Sequence, residues 1–151
     1  REVELLFGRR VDVVSTHGLR SPHWKAIHEA NKVPVLPPRE PTALLTDALA
    51  QIELLLKAEA CDLEHLLADR DLQAIFERRF EVLGEALRRL ERTDPRLFAD
   101  VSGGAQAIAL RNFIAHGYDG VDHRVLWDTV VEDLPIMRSS IQRLLTRDSA
   151  E

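Results

Sequence analysis

The stretch Leu72-Gln73-Ala74-Ile75-Phe76-Glu77-Arg78-Arg79-Phe80-Glu81-Val82-Leu83-Gly84-Glu85-Ala86-Leu87-Arg88-Arg89-Leu90 decides the fold. Leu72, Ile75, Phe76, Phe80, Leu83, Leu87 and Leu90 keep helical phase, with charged residues between them, so the stretch predicts one long amphipathic helix. Gly84 falls inside the apolar stripe. A mid-helix glycine costs about 1 kcal/mol relative to alanine, so its presence here predicts a close helix-helix crossing. Thr93-Asp94-Pro95 ends the helix, because the residue before a proline is pushed out of the α region.

Working toward the C-terminus, Ser102-Gly103-Gly104 starts a further helix with Ser102 as its expected cap, carrying Ala107, Ile108, Leu110 and Ile114 toward a stop at Gly117. A last helix begins near Asp122 or His123 on the stripe Leu126, Val130, Leu134, Met137, Ile141, Leu144 and Leu145, and Pro135 is expected to bend it. Working toward the N-terminus, Cys61 to Ala68 reads as a short helix. Leu44, Leu45, Ala48, Leu49, Ile52, Leu55 and Leu56 mark one helix before it. The sum is a mainly α protein, an antiparallel bundle of about five helices.

Pro34, Pro37, Pro38 and Pro41 break regular structure and mark a domain junction. Upstream, residues 10–14 read as a strand, Ser21-Pro22 opens a short helix through Ala30 with Trp24 and Ile27 on one side, and Val33 to Leu36 is extended. The expected organisation is a small β-α-β segment over 1–36, a Pro-rich linker over 37–41 and a helical domain over 42–151. Position 1 is Arg and the only Met is Met137, which reads as a chain beginning after its natural start.

Composition narrows the function classes. A net charge of −5 argues against a protein that coats nucleic acid nonspecifically, since that binding rests on many Lys and Arg contacts to phosphate, yet it allows one local basic cleft. Cys61 stands alone, which excludes an internal disulfide and a cysteine-rich zinc site and fits a cytoplasmic location. No apolar run approaches the roughly 20 residues that span a bilayer, so no membrane association is expected. His17, His23, His28, His65 and His123 lack the spacing of a helical zinc site, so no metal and no cofactor are expected.

The chemistry concentrates in Leu110-Arg111-Asn112-Phe113-Ile114-Ala115-His116-Gly117-Tyr118-Asp119, which sets strong polar groups into an otherwise apolar helix. Asn112 and His116 stand four apart and share a face, and Arg111 beside them has an arm long enough to reach the same place. Metal-free RNA cleavage needs a group that moves a proton during attack by the 2′-hydroxyl, and a cation that offsets charge on the pentavalent phosphate. Imidazole titrates near neutral pH and a guanidinium holds phosphate oxygens in bidentate fashion, so His116 and Arg111 are of the right types, with Asn112 placed to orient the scissile phosphate. On spacing alone the plainer alternative stays open: Arg111 pairs with a bundle carboxylate and His116 caps a helix C-terminus.

The spacing Arg111-x4-His116-x-Tyr118 resembles the signature of the HEPN superfamily, in particular the HepT toxins of HepT/MntA toxin-antitoxin pairs. Glu81 to Leu87 resembles that family's middle helix. His116-Gly117-Tyr118-Asp119-Gly120-Val121-Asp122, Leu126-Trp127 and Asp133-Leu134-Pro135 resemble its C-terminal part, so residues 42–146 are covered. The resemblance implies a five-helix fold and a homodimer. It also implies a metal-independent endoribonuclease whose cleft gathers Arg111 and His116 of both protomers, with tRNA as an expected substrate. Tyr118 matches the residue to which a partner nucleotidyltransferase adds AMP, blocking the toxin.

The first 36 residues separately resemble the C-terminal end of an MntA-like minimal nucleotidyltransferase, with Asp12 in the place of its third acidic residue. That implies an antitoxin partner in cis or in trans, although the Gly-Ser and paired-Asp motifs that bind nucleotide are absent from this sequence. The competing function is a non-catalytic module that dimerises or binds nucleotide for a nucleotidyltransferase. A third is an active fused nucleotidyltransferase. Among the other features, Arg78, Arg79, Arg88, Arg89, Arg92 and Arg96 form a basic stretch of the kind that guides RNA, but they alternate with carboxylates and read rather as a solvated, salt-bridged face. Phe113 and Trp127 are expected in the core.

Overall fold

A computed structural model describes residues 22, 39–58, 62–116 and 120–148, with His116 and Asp148 described by backbone alone. The chain divides into two units, Arg1–Pro37 and Pro38–Glu151. The expectations for the strand at 10–14, for Asp12 and for the extended run at 33–36 lie outside the described residues, as do those for Cys61, Gly117 and Tyr118.

The described part of the second unit is helical throughout its regular structure. Helix α1 spans Pro41–Ala58, α2 Leu63–Ala68, α3 Arg70–Thr93, α4 Pro95–Ala99, α5 Gly104–His116, α6 His123–Asp128 and α7 Leu134–Asp148. Between α6 and α7 a π-helical turn, Thr129–Asp133, makes the last two helices one rod. Apart from the short α4, these are the helices expected from the apolar stripes.

Aspartates fix most of the boundaries. Asp62 caps α2 through the amide of His65, and Asp69 caps α3 through the amides of Asp71 and Leu72. Asp94 ends α3 and caps α4 through the amide of Leu97, and Asp122 caps α6 through the amide of Arg124. Each such carboxylate satisfies an amide that has no partner inside its helix, which stabilises a helix end by about 1 kcal/mol. The cap expected at Ser102 lies one residue later. The Gly103 carbonyl accepts the first bond of α5, from Ala107, and Gly103 adopts a φ of 76°, a conformation that a side chain at that position would resist. The Ser102 amide instead donates to Ser140 Oγ of α7 at 3.1 Å, which ties the start of α5 to the C-terminal rod.

Just before Pro135, where a bend is expected, the rod carries the π turn. Proline has no N–H and its ring crowds the carbonyl four residues back, so one extra residue is accommodated and the Leu134 amide bonds the Thr129 carbonyl instead.

Helix α3 is the centre of the bundle. Its Phe76, Phe80, Leu83, Leu87 and Leu90 are buried among Leu44, Leu45, Ile52 and Leu55 of α1 and Leu126, Val130, Leu134, Met137 and Ile141 of the C-terminal rod. Burying one such side chain stabilises the fold by about 2 kcal/mol before conformational entropy is subtracted. Two expected core residues stand outside: Ile75 and Phe113 are both exposed. Trp127 packs against the core, as expected. No helix among the described residues is long and apolar enough to cross a membrane.

Candidate active site

Gly84 is where the site begins. A Cβ built on it would sit 2.3 Å from Arg111 Cβ and 2.9 Å from the Ala107 carbonyl oxygen, so α3 and α5 cross at a distance only glycine allows. The close crossing expected from the sequence is present, and it lays the aliphatic stem of Arg111 directly on the backbone of α3. The stem is covered and the guanidinium projects beyond it, leaving the side chain 29% exposed.

The residue after Gly84 receives that guanidinium. Glu85 Oε2 lies 3.4 Å from Arg111 Nη2, while Arg88 holds both Glu85 oxygens at 2.9 and 3.0 Å and Arg89 donates through Nε to Oε1 at 3.0 Å. Hydrogen bonds from Arg88, joined by those from Arg89, hold the Glu85 carboxyl down at about 2, against its partial burial. The other amino group of Arg111, Nη1, donates to Asn112 Oδ1 at 3.0 Å. Arg111 therefore meets Glu85 by the longest of the carboxylate's contacts, a grip that a phosphate can loosen.

Glu85, Arg89 and Arg111 border a cleft of about 470 Å³. Asp47 and Gln51 of α1, Arg78, Glu81, Glu85 and Arg89 of α3, and Arg111 and Ala115 of α5 line it. Arg39 pairs with Asp47 and Arg78 with Glu81, so those charges balance. At Glu85, Arg88 engages both carboxylate oxygens from outside the cleft, so Arg89 and Arg111 leave that end of the cleft positive. It can hold an anion there.

Of the residues expected in the site, Arg111 and Asn112 are in contact, and His116 is the last residue of α5. Tyr118 and Asp12 lie outside the described residues. Glu85, Arg88 and Arg89, which the sequence reading set aside, join Arg111. Their spacing of three and four residues was visible as a salt-bridged face, but the tie to Arg111 crosses between helices and leaves no local signal. A second polar link was also missed. His123, at the start of α6, meets Glu77 of α3 at 2.7 Å and is only 16% exposed.

The chain matches the model of the HepT-like family, described as "Ribonuclease HepT-like", over residues 45–144. It is 34% identical over 102 residues to the "Probable ribonuclease HepT" of Thermococcus cleftensis, covering 66% of this chain and 91% of that protein. A "Putative RNase" of Caldanaerobacter subterraneus subsp. tengcongensis is 24% identical over 114 residues, covering 73% of this chain and 98% of its own length. A "Putative RNase" of Methanocaldococcus jannaschii is 32% identical over 65 residues, which is 43% of this chain and 59% of that one. No solved structure matches. An all-helical bundle with an arginine-lined cleft is thus joined to a family whose members carry ribonuclease names. The chain belongs to the HepT-like ribonuclease family.

Proposed function

We propose that the protein is a metal-independent endoribonuclease of the HEPN type, acting as a homodimer with Arg111 and His116 of both protomers in a shared cleft. The observation that carries the reading is the placement of Arg111. A glycine crossing seats its stem, a carboxylate steers its guanidinium, and its helix ends at His116.

The chemistry is transesterification. The 2′-hydroxyl of one nucleotide attacks the adjacent phosphorus and loses its proton to a base, while the 5′-oxygen of the next nucleotide leaves and takes a proton from an acid. Products are a 2′,3′-cyclic phosphate and a 5′-hydroxyl. His116 serves as the acid or base, and two protomers supply one imidazole for each role. Arg111 offsets the negative charge that builds on the phosphorane oxygens. Asn112, bonded to Arg111 and exposed on the same helix end, orients the scissile phosphate.

Support for the dimer comes from the outer face of α5. Ala105, Ala109, Asn112 and Phe113 are exposed along one side of the helix, and small residues with one uncovered aromatic suit close packing against a second copy. Transfer RNA is the substrate class proposed. Tyr118, just past the end of α5, is the proposed position for AMP addition by an MntA-like nucleotidyltransferase, with Asp12 as part of such a domain's remnant in cis. The Arg111–Glu85 pair also suits the second reading, a module that binds a nucleotide without cutting.

The test is incubation of the purified protein with RNA in EDTA, followed by end analysis and dilution through the self-association range. The proposal expects cyclic phosphate and 5′-hydroxyl ends and a specific activity that falls as the dimer dissociates. Cleavage with 3′-hydroxyl ends overturns the mechanism. Saturable nucleotide binding in calorimetry without cleavage favours the binding module.

A further inference from the structure

Three arginines meet Glu85, and their grips differ. Arg88 is committed: it engages both carboxylate oxygens through Nε and Nη2, feels Glu91 as well, and does not line the cleft. Arg111 is the motif arginine already assigned to the reacting phosphate. Arg89 is the unexplained one. It lines the cleft, its side chain is 56% exposed, and it meets Glu85 through Nε alone at 3.0 Å.

A guanidinium held by Nε is fixed in direction while its two amino groups point away from the anchor, which is the fork that grips a phosphate in bidentate fashion. Arg89 bonds one oxygen of the Glu85 carboxylate and Arg111 approaches the other, with both side chains lining the same cleft. Because Arg88 already engages both Glu85 oxygens, Arg89 and Arg111 keep positive charge to offer within the cleft. Elsewhere in the cleft Arg39 and Arg78 are each matched by an acid.

We infer that Arg89 forms a second phosphate subsite, binding the phosphate that flanks the scissile one, and so makes the protein prefer strands of two or more phosphates over a single phosphodiester. This rests on the nuclease reading for the role of Arg111, but the subsite itself is a binding property. Arg89 is a substrate-binding residue, and Glu85 is the group that aims it.

The experiment compares a dinucleoside monophosphate with a trinucleoside diphosphate, both as cleavable RNA and as uncleavable 2′-deoxy analogues titrated by calorimetry. In the wild type the second phosphate lowers KM and the dissociation constant by about tenfold, the size of one charge-assisted contact. In Arg89→Ala that gain disappears, so the two ligands' constants become equal within about twofold. Equal weakening toward both ligands would mean a structural role and would overturn the subsite, as would an unchanged preference for the diphosphate. If the deoxy ligands show the Arg89-dependent preference and neither RNA is cut, the nuclease reading falls and the subsite stands. If RNA is cut but the preference is missing, the subsite falls and the nuclease reading stands.

Discussion

Helices α3 and α5 cross at Gly84 and do opposite work. Helix α3 spends one face on the core, burying Phe76, Phe80, Leu83, Leu87 and Leu90, and the other on paired charges. Helix α5 buries Ala107 and Ile114, lays Arg111 on its neighbour and leaves Ala109, Asn112, Phe113 and Ala115 to solvent. Stability asks one thing of a helix, a continuous apolar stripe, and α3 answers it. A helix that must also line a cleft has more than one face in use and no clean stripe, and such a departure from local rules marks a functional segment.

The comparison breaks most visibly at matched aromatic residues. Phe80→Ala in α3 should cost about 4 kcal/mol in denaturant unfolding, because it empties a fully buried position. Phe113→Ala in α5 removes a ring that is 47% exposed and should cost the fold less than about 0.5 kcal/mol, while weakening self-association in sedimentation. Equal costs would remove the distinction between the two helices.

Their crossing is the next place to press. Gly84→Ala forces a methyl against Arg111 Cβ and the Ala107 carbonyl, neither of which is the loose end of a side chain. Overpacking of this kind should destabilise by about 3 kcal/mol and displace Arg111. A variant with unchanged melting would show that α5 shifts freely on α3.

The smallest effect expected is in acid. Glu85 has its pKa lowered from 4.5 to about 2 in the folded chain, so its stabilising effect is full above about 4.5 and is lost as pH falls through that window. Glu85→Gln should flatten the fall in stability between those two values while leaving the slope near neutrality unchanged. A variant that keeps the full acid slope would mean that the arginine cluster does not hold the carboxylate.

Legibility in the sequence followed the same division. The stripes of α1, α3 and the C-terminal rod were readable because a long apolar repeat has one explanation. In α5 the repeat was weak, and its Arg, Asn and His stood out by type. Phe113 and Ile75 were misplaced in the core because an apolar residue on a helix is assigned there by default, whereas exposure depends on what the neighbouring helices cover. Helix α4, at five residues, is too short to show a period. Pro135 foretold a break but not its π form, and Gly103 takes the cap expected of Ser102 because the preceding amide is drawn to Ser140. The Glu85 cluster was half legible: spacing gave its bonds within α3, and only the fold brings Arg111 to it.

The direct test of the central claim is the rate of RNA cleavage in EDTA by Arg111→Ala and His116→Ala, each first shown to melt and self-associate like the wild type. Loss of a proton-transfer group or of the phosphate-facing cation should slow cleavage by at least about a hundredfold in both. A correctly folded variant of either kind that cuts at the wild-type rate would contradict the account.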